Sequence, residues 1–343
     1  MLRKLLIGLA LVLVTGAALA WFQRDALVDM AIRGRLRQEP DRSFIDDRTH
    51  IRVLICGTGS PETSSARAQA CTMVAAGGKL FLFDAGDGAV RSLAKSNIPV
   101  ANLERVFITH FHSDHFNDLG PLINAGWIWG RKSPLAVQGP VGMKQVLDGL
   151  TAAYALDEGY RSTNMPHLAG RRDVAFAKPM EVTFAPGKRI ARVYDQGGVT
   201  IDATMVAHDP VRPALGYVLR YRGKKVFISG DTEVSPVNLP AMRNADLAVH
   251  ESYAAHMVRR AIPQMKRLGM DFEAEVATRT IPYHADNIAL AKQAQQAGVK
   301  HLLLTHLIPY PENFVIRRMY AEGMAEHFKG RLTVGKDGMV IIL

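Results

Sequence analysis

The stretch HFHSDH at residues 110–115 follows directly after the apolar run RVFIT at residues 105–109. It places three histidines and one aspartate within six residues. Such a density of imidazoles is uncommon, because surface histidines are scattered and core histidines usually occur singly. Alternate residues of an extended segment share a face, so His110 and His112 point the same way, and the last two residues of the stretch turn towards a neighbouring position. Imidazole and carboxylate together suit zinc, with iron or manganese as alternatives, so the stretch predicts a metal site.

Four ligands do not complete two metal sites, so other parts of the chain should contribute. Three candidates each follow an apolar run that is predicted to be a strand: His208 after residues 203–207, Asp231 after residues 225–228, and His306 after residues 302–305. Polar groups at strand ends are held by a rigid scaffold and still reach an open cleft, as a catalytic metal site requires. These three residues are therefore predicted to be ligands.

From residue 50 onward, short apolar runs alternate with turn signals. We predict strands at residues 51–56, 80–83, 105–109, 199–206, 215–221, 225–228, 247–249 and 301–305, and helices at 89–96, 142–154 and 286–296. Strands mix with helices, polar residues gather at strand ends, and there is no internal repeat. This pattern predicts one layered α/β domain over residues 50–343.

Residues 1–22 begin with a short basic segment and continue as an apolar run. Residues 18–20, ALA, fit the small-x-small cleavage pattern of a secretory signal. Residues 5–22 are also about long enough to be an uncleaved membrane anchor, so both alternatives stay open. Either one predicts an exported protein, periplasmic or membrane-anchored and facing the periplasm or the exterior. Residues 23–49 are predicted to form a helical spacer and linker.

The composition of the 343 residues is globular, with 48% hydrophobic residues, a net charge of +10 and a pI of about 9.7. A net positive charge is compatible with binding of nucleic acid, anionic lipid or anionic substrates, and equally with an ordinary protein surface. It does not discriminate among these alternatives. Two cysteines, Cys56 and Cys71, cannot form a disulfide framework. We interpret them as small buried residues, with a single disulfide as the alternative for an exported protein.

Taken together and in order, the motifs resemble the metallo-β-lactamase superfamily, in particular its ribonuclease-Z-like and arylsulfatase-like members. The resemblance covers nearly all of residues 50–343. It is carried by GTGSP at 57–61, the DAGDG turn at 84–88, the stretch at 110–115, GP at 139–140, His208 followed by GY at 216–217, SGDT at 229–232 and TH at 305–306. The resemblance implies a four-layer αββα sandwich with the site along one edge.

The resemblance also implies a dinuclear site for two divalent ions, with Zn²⁺ as the expected metal. One ion would be held by His110, His112 and His208, the other by Asp114, His115 and His306, and Asp231 would bridge the pair. A hydroxide that bridges two such ions would attack a phosphoryl or sulfuryl ester. The predicted activity is therefore that of a metallo-hydrolase acting on ester bonds.

Further residues are predicted to support this reaction. Asp114 or Asp231 would orient the hydroxide. His284 resembles the catalytic histidine of the ribonuclease-Z-like branch, so we predict a general acid or oxyanion stabiliser there, with a helix-entry residue as the alternative. Asp84 is predicted to orient a ligand histidine, with a simple turn residue as the alternative. His250 and Glu251 match a His-Glu pair of that branch and are predicted to lie behind the ligands. His250 fits a buried structural histidine equally well.

The substrate prediction depends on two features. Ribonuclease-Z members carry a tRNA-gripping arm between the positions that match His208 and Asp231, and only 22 residues separate them here. The short spacing and the export segment disfavour nucleic acid and favour a small or extracytoplasmic phosphodiester or sulfate ester. A 3′-tRNA-processing endonuclease is the main alternative. A non-catalytic metal-binding module is disfavoured because every expected ligand position is filled.

Three further expectations follow. β-Lactam hydrolysis is disfavoured, because zinc β-lactamases commonly carry a cysteine at the position of Asp231 and this chain has no cysteine after Cys71. A homodimer is compatible with the resemblance, and membrane contact would come from the N-terminal segment if it stays uncleaved. Residues 126–172 are predicted to be an inserted helical hairpin that packs on the domain, with a lid over the cleft as the alternative.

Overall fold

A computed structural model describes residues 2–36, 42–62 and 66–343, so residues 37–41 of the predicted linker lie outside the described part. The chain divides into two units, residues 1–42 and residues 43–343. The first unit contains helices α1 (Leu2–Phe22) and α2 (Arg24–Leu36). Within the described residues, no helix is both long and apolar enough to cross a membrane.

The second unit is built on strands that lie in two sheets. In chain order these strands are β1 (Arg52–Gly57), β2 (Cys71–Ala76), β3 (Lys79–Phe83), β4 (Leu103–Phe107), β5 (Ala136–Gly139), β6 (Lys178–Glu181), β7 (Ile190–Gln196), β8 (Val199–Val206), β9 (Ala214–Tyr221), β10 (Lys224–Ile228), β11 (Leu247–Tyr253), β12 (His301–Ile308), β13 (Arg331–Val334) and β14 (Met339–Ile342). The first sheet has the order β14-β1-β2-β3-β4-β5-β6 and the second has the order β13-β12-β11-β10-β9-β8-β7. Each sheet is mixed, with parallel pairs from β3 to β6 and from β10 to β13.

The helices of the second unit connect these strands. They are α3 (Ser43–Asp46), α4 (Ala89–Lys95), α5 (Leu119–Ile128), α6 (Met143–Asn164), α7 (Pro166–Ala169), α8 (Leu239–Met242), α9 (Ala255–Arg267), α10 (Asp271–Thr280), α11 (Asn287–Gln296), α12 (Phe314–Tyr320) and α13 (Met324–His327). Parallel strands need crossover connections, which is why helices alternate with strands over β3–β6 and β10–β13.

Side-chain alternation along the strands explains the layers. In β3, Phe81 and Phe83 pack in the core between the two sheets, whereas Leu80 and Leu82 pack on the other face against the α4–α6 side. In β12, Leu303 points into the central core, and its neighbours Leu302 and Leu304 join an outer core with the C-terminal helices. Successive residues of a strand point to opposite faces, so both faces of each sheet are covered. The predicted four-layer αββα sandwich is confirmed.

The two cysteines differ from the favoured interpretation. Cys56 in β1 and Cys71 in β2 are buried, and they form a disulfide across the two strands. Their Cα atoms are 5.0 Å apart, within the range that a disulfide bridges. The structure therefore contains the single disulfide, which is the alternative interpretation of the two cysteines.

The inserted segment packs on the domain. Trp127 of α5 is 1% exposed, lies against Leu168 and Val174, and donates from Nε1 to the carbonyl of Arg171 at 3.1 Å. Helix α6 runs to Asn164, ten residues beyond the predicted end, and Leu147 on its inner face joins the α4–α6 core. Trp127 is thus a packing residue, as the hairpin interpretation expects.

Candidate metal centre

The ends of three strands and an inner position of a fourth meet along one edge of the sandwich and bring the predicted ligands together. His110 follows β4, His208 follows β8 and Asp231 follows β10, as predicted. His306 differs, because it lies inside β12 and not after its end. The pairing with β11 shifts at this point, with Glu251 opposite Thr305 and the next residue opposite Leu307. His306 is the extra residue of a β-bulge, with φ of 45°, and such a bulge re-aims a side chain.

Four of the predicted ligands form a first group. The candidate ligand atoms of His110, His112, His208 and Asp231 all lie within 4.8 Å of one another. Nε2 of His110 lies 2.9 Å from Nδ1 of His112, which in turn lies 3.4 Å from Nε2 of His208. The ring nitrogens therefore converge on one point.

A second group lies beside the first. Asp114, His115 and His306 bring their ligand atoms within the same 4.8 Å. Oδ2 of Asp114 is 3.1 Å from Nε2 of His306 and 3.5 Å from Nε2 of His115. The Asp231 carboxylate reaches both groups, with Oδ1 at 3.3 Å from His115 Nε2 and Oδ2 at 3.9 Å from His110 Nε2. The geometry thus places Asp231 between the two clusters.

The buried atoms of this cluster fit a divalent metal. Among the described residues, Nε2 of His115 and Oδ1 of Asp231 are buried without a hydrogen-bond partner. Buried polar atoms are normally satisfied, so two such atoms facing one another call for a cation between them. Imidazole nitrogens and carboxylate oxygens are the donors that zinc prefers. The His/Asp clusters therefore fit a site for divalent ions.

The electrostatics agree with this fit. Burial, together with the neighbouring imidazoles, lowers the pKa of His110 and His112, which favours the neutral ring that can bind a metal. Burial opposes the charge on Asp231, but His306 and His115 hold its pKa well below the usual range. His110 and His112 therefore present neutral imidazoles, and the Asp231 carboxylate stays charged. His115 differs: burial opposes its charge, but Asp231, Asp84 and Asp114 raise its pKa well above the usual value.

Asp84 contacts the ring of His115 at the nitrogen that faces away from the cluster. Its Oδ2 lies 2.8 Å from Nδ1 of His115, and its Oδ1 accepts from the backbone N–H of Thr109 at 2.8 Å. These contacts fix the ring of His115 so that Nε2 faces the cluster. The same turn contains Gly86, where a Cβ atom would lie 2.0 Å from the carbonyl oxygen of Asp114, so only glycine fits.

His284 lies at the mouth of the cluster. Nδ1 of His284 is 3.0 Å from both carboxylate oxygens of Glu251, so the hydrogen bond assigns the proton to Nδ1 and leaves Nε2 for the cluster. Asp231, His284 and His306 also bring ligand atoms within 4.8 Å of one another. Burial opposes the charged ring, but Glu251, helped by Asp231 and Asp114, raises the pKa of His284 to about 9.

His250 has a different environment from Glu251. Its Nδ1 lies 2.8 Å from the carbonyl oxygen of Glu251, and its ring lies 6.0 Å from that of Phe227, which belongs to the outer core. Glu251 points the other way, towards His284. The placement of His250 favours a structural histidine, whereas Glu251 contacts the cluster directly.

Sequence reasoning missed three contacts of the site. Thr109 donates from Oγ1 to Asp84 at 2.9 Å, and the carbonyl of Tyr283 lies 3.1 Å from Nδ1 of His208. The backbone N–H of Thr232 donates to Oε1 of Glu251 at 2.6 Å. Adjacency to a predicted ligand or to His284 is the signal that could have found Thr109, Thr232 and Tyr283.

Comparison with known proteins finds a matching family model and similar proteins. The family model described as "Beta-lactamase superfamily domain" matches residues 79–307. A protein from Mycobacterium marinum named ribonuclease Z is 30% identical over 294 residues, which cover 84% of this chain and 96% of that protein.

Two solved structures share the fold. The metallo-beta-lactamase fold protein YhfI from Bacillus subtilis aligns with a TM-score of 0.61 and 19% identity, covering 86% of this chain and 100% of that one. The short form of human tRNase Z aligns with a TM-score of 0.60 and 21% identity, covering 84% of this chain and 98% of that one.

These matches bear on which of the two predicted substrate classes is better supported. The ribonuclease Z name of the Mycobacterium marinum protein supports the tRNA-processing alternative better than the small-ester or sulfate-ester hypothesis. In this chain, the connection from His208 to Asp231 contains the β9–β10 hairpin.

Proposed function

The chain belongs to the metallo-β-lactamase superfamily, and we propose that it is a ribonuclease-Z-like phosphodiesterase that hydrolyses RNA. The observation that carries the proposal is the meeting of seven donor residues, all buried except the half-buried His112, with the His284–Glu251 pair at one edge of the sandwich. Such an edge holds charged groups rigidly and still opens to a substrate.

The proposed ligand sets follow the two groups. His110, His112 and His208 would hold one divalent ion, Asp114, His115 and His306 would hold a second, and Asp231, whose carboxylate reaches both groups, would serve both. Bound divalent ions, with zinc as the proposed identity, supply Lewis acidity and lower the pKa of a coordinated water. Asp84 fixes the ring of His115, and the Tyr283 carbonyl fixes that of His208, so that each presents Nε2 to the site.

His284 is the proposed general acid. With Nδ1 bonded to Glu251, a protonated ring directs its Nε2–H towards the reacting centre. It can give that proton to the oxygen that leaves when the phosphodiester bond breaks. The Asp114 carboxylate accepts a hydrogen bond from the attacking water and orients it. The rings of Tyr253 and His306 lie nearly parallel to that of His284, with centroids 5.7 and 5.4 Å from it.

A second candidate has specific support. The Cys56–Cys71 disulfide is typical of proteins in an oxidising compartment, and the apolar α1 region fits an export segment. Both features favour an exported enzyme, periplasmic or anchored outside the cytoplasm, with a phosphodiester other than precursor tRNA as its substrate. The chemistry of the site is the same for both candidates.

The test uses the purified chain loaded with zinc and three substrates: a precursor tRNA with a 3′ trailer, bis(p-nitrophenyl) phosphate and p-nitrophenyl sulfate. We expect hydrolysis of the two phosphodiesters and loss of both activities in the His110→Ala variant. Cleavage of the small diester alone would favour the exported candidate. Cleavage of the sulfate with neither phosphodiester would overturn the proposal.

A further inference from the structure

A basic groove of about 910 Å³ is lined by segments that include Gly88, which follows the Asp84 turn, and Tyr310, which follows His306 in the chain. Its cations are Arg67, Arg91, Lys95, Arg317 and Lys336. They come from four separate segments: the loop after β1, helix α4, helix α12 and the turn before β14. The fold therefore gathers positive charge here from distant parts of the sequence.

Much of this charge is free of carboxylate partners. Among the described residues, no carboxylate pairs with the ammonium groups of Lys95 and Lys336, and both side chains are exposed. Arg91 forms a salt bridge with Asp87 at 3.6 Å in solvent, and such a pair contributes little. Burial and the neighbouring Arg67 lower the pKa of Arg317, as expected for crowded like charges.

The two acidic residues of the lining do not neutralise the groove. Asp337 accepts from the backbone N–H and the hydroxyl of Thr58 and from the backbone N–H of Ala68, at 2.6 to 3.0 Å, so its carboxylate is occupied in joining two loops. Glu312 is the remaining carboxylate of the lining. Five cations against these two acids leave the groove positive.

An exposed aromatic ring completes the lining. Phe314, at the start of α12, is 76% exposed, and it is one of the largest exposed apolar side chains of the second unit. A cationic groove with an exposed aromatic ring is the combination that binds single-stranded nucleic acid, since the cations follow the phosphates and a base stacks on the ring.

Two short stretches of chain connect residues at the metal centre to residues that line the groove. The turn from Asp84, which contacts His115, reaches the groove at Gly88, and the chain from His306 reaches it at Tyr310. Each connection is four residues long and spans at most about 14 Å. A strand with its scissile bond at the metal centre reaches the groove within a few nucleotides.

We propose that the basic groove binds the phosphodiester backbone of the single-stranded part of the RNA substrate, with one base stacked on Phe314. This rests on the proposed function, because the strand extends from the bond that the metal centre cleaves. The groove would make the enzyme prefer a polynucleotide strand over a small diester.

The test compares Lys95→Glu/Lys336→Glu with Lys132→Glu/Lys188→Glu. All four lysines are exposed, and the second pair lies outside the groove, so both variants change the net charge equally. Fluorescence anisotropy of a labelled single-stranded RNA gives binding, and kcat/KM for the RNA divided by kcat/KM for bis(p-nitrophenyl) phosphate gives strand preference. RNA binding and strand preference are also measured for the Phe314→Ala variant.

We expect the groove variant to lose at least tenfold in RNA affinity, with a less steep dependence on salt, and its strand preference to fall by a similar factor. Phe314→Ala should weaken binding about tenfold without changing the salt slope. Equal effects of the two lysine variants, or no change in the groove variant, would overturn the proposal. Binding is measured without cleavage, so failure of the groove and failure of the proposed phosphodiesterase activity remain distinguishable.

Discussion

Nδ1 of His284 lies 3.0 Å from both carboxylate oxygens of Glu251, although the two residues are 33 positions apart in the chain. Oε1 of the same carboxylate also accepts from the backbone N–H of Thr232, the residue after Asp231. Glu251 therefore joins the proposed general acid to the loop that carries the proposed bridging ligand. This arrangement makes the roles of His284 and Glu251 separable by experiment.

Replacing His284 by Ala should leave the metal content unchanged and lower kcat by roughly 10²–10⁴-fold, because a proton donor is lost and the proposed ligands remain. Metal analysis and steady-state kinetics on the same preparation test this. His256→Ala, which removes an exposed histidine of α9, is the control and should be fully active. A collapse of the metal content in His284→Ala would refute the assigned role.

Replacing Glu251 by Gln should lower kcat by about 10–100-fold with little change in KM, because the amide no longer holds the ring of His284 as a carboxylate does. Metal content should stay at the wild-type level. Unchanged kcat, or a loss confined to KM, would show that the contact does not position the acid.

Replacing Asp231 by Ala should release at least one metal ion, since this carboxylate contacts both donor groups. Asp209→Ala is the matched control, because Asp209 is an exposed carboxylate beside His208 that pairs with Arg212. The measurement is metal content after dialysis. Full occupancy in the Asp231 variant would contradict the bridging assignment.

The disulfide gives a prediction about stability. Cys56 and Cys71 are separated by 15 positions, and closing a loop of that size stabilises a fold by about 3 kcal/mol. The double variant Cys56→Ala/Cys71→Ala should lower the free energy of unfolding by about that amount in urea titrations. In protein purified without reductant, denaturation should expose no free thiol. Two reactive thiols under those conditions would contradict the disulfide.

The common location of the candidate ligands that follow apolar strands could be predicted from the sequence. His110, His208 and Asp231 each come after a run of buried branched or aromatic residues, so their common edge could be predicted. The bulge at His306 could not, because it depends on how β12 pairs with β11. The contact of Glu251 with Thr232 likewise depends on the packing of neighbouring strands.

Strands β2 and β7, which are not predicted from the sequence, have weak local signals. The edge strand β7 is largely exposed and carries charged residues, and β2 is rich in small side chains. The charge of +10 was visible from the beginning, but its concentration in one groove was not, because the cations come from segments far apart in the chain.

The most direct test of the account is a metal titration of activity. The enzyme is stripped with a chelator and reconstituted with increasing zinc, and hydrolysis of bis(p-nitrophenyl) phosphate is followed at each step. We predict no activity in the stripped enzyme and a rise that ends at about two equivalents of metal per chain. Full activity of the stripped enzyme, or no hydrolysis of the phosphodiester at any zinc concentration, would contradict the central claim.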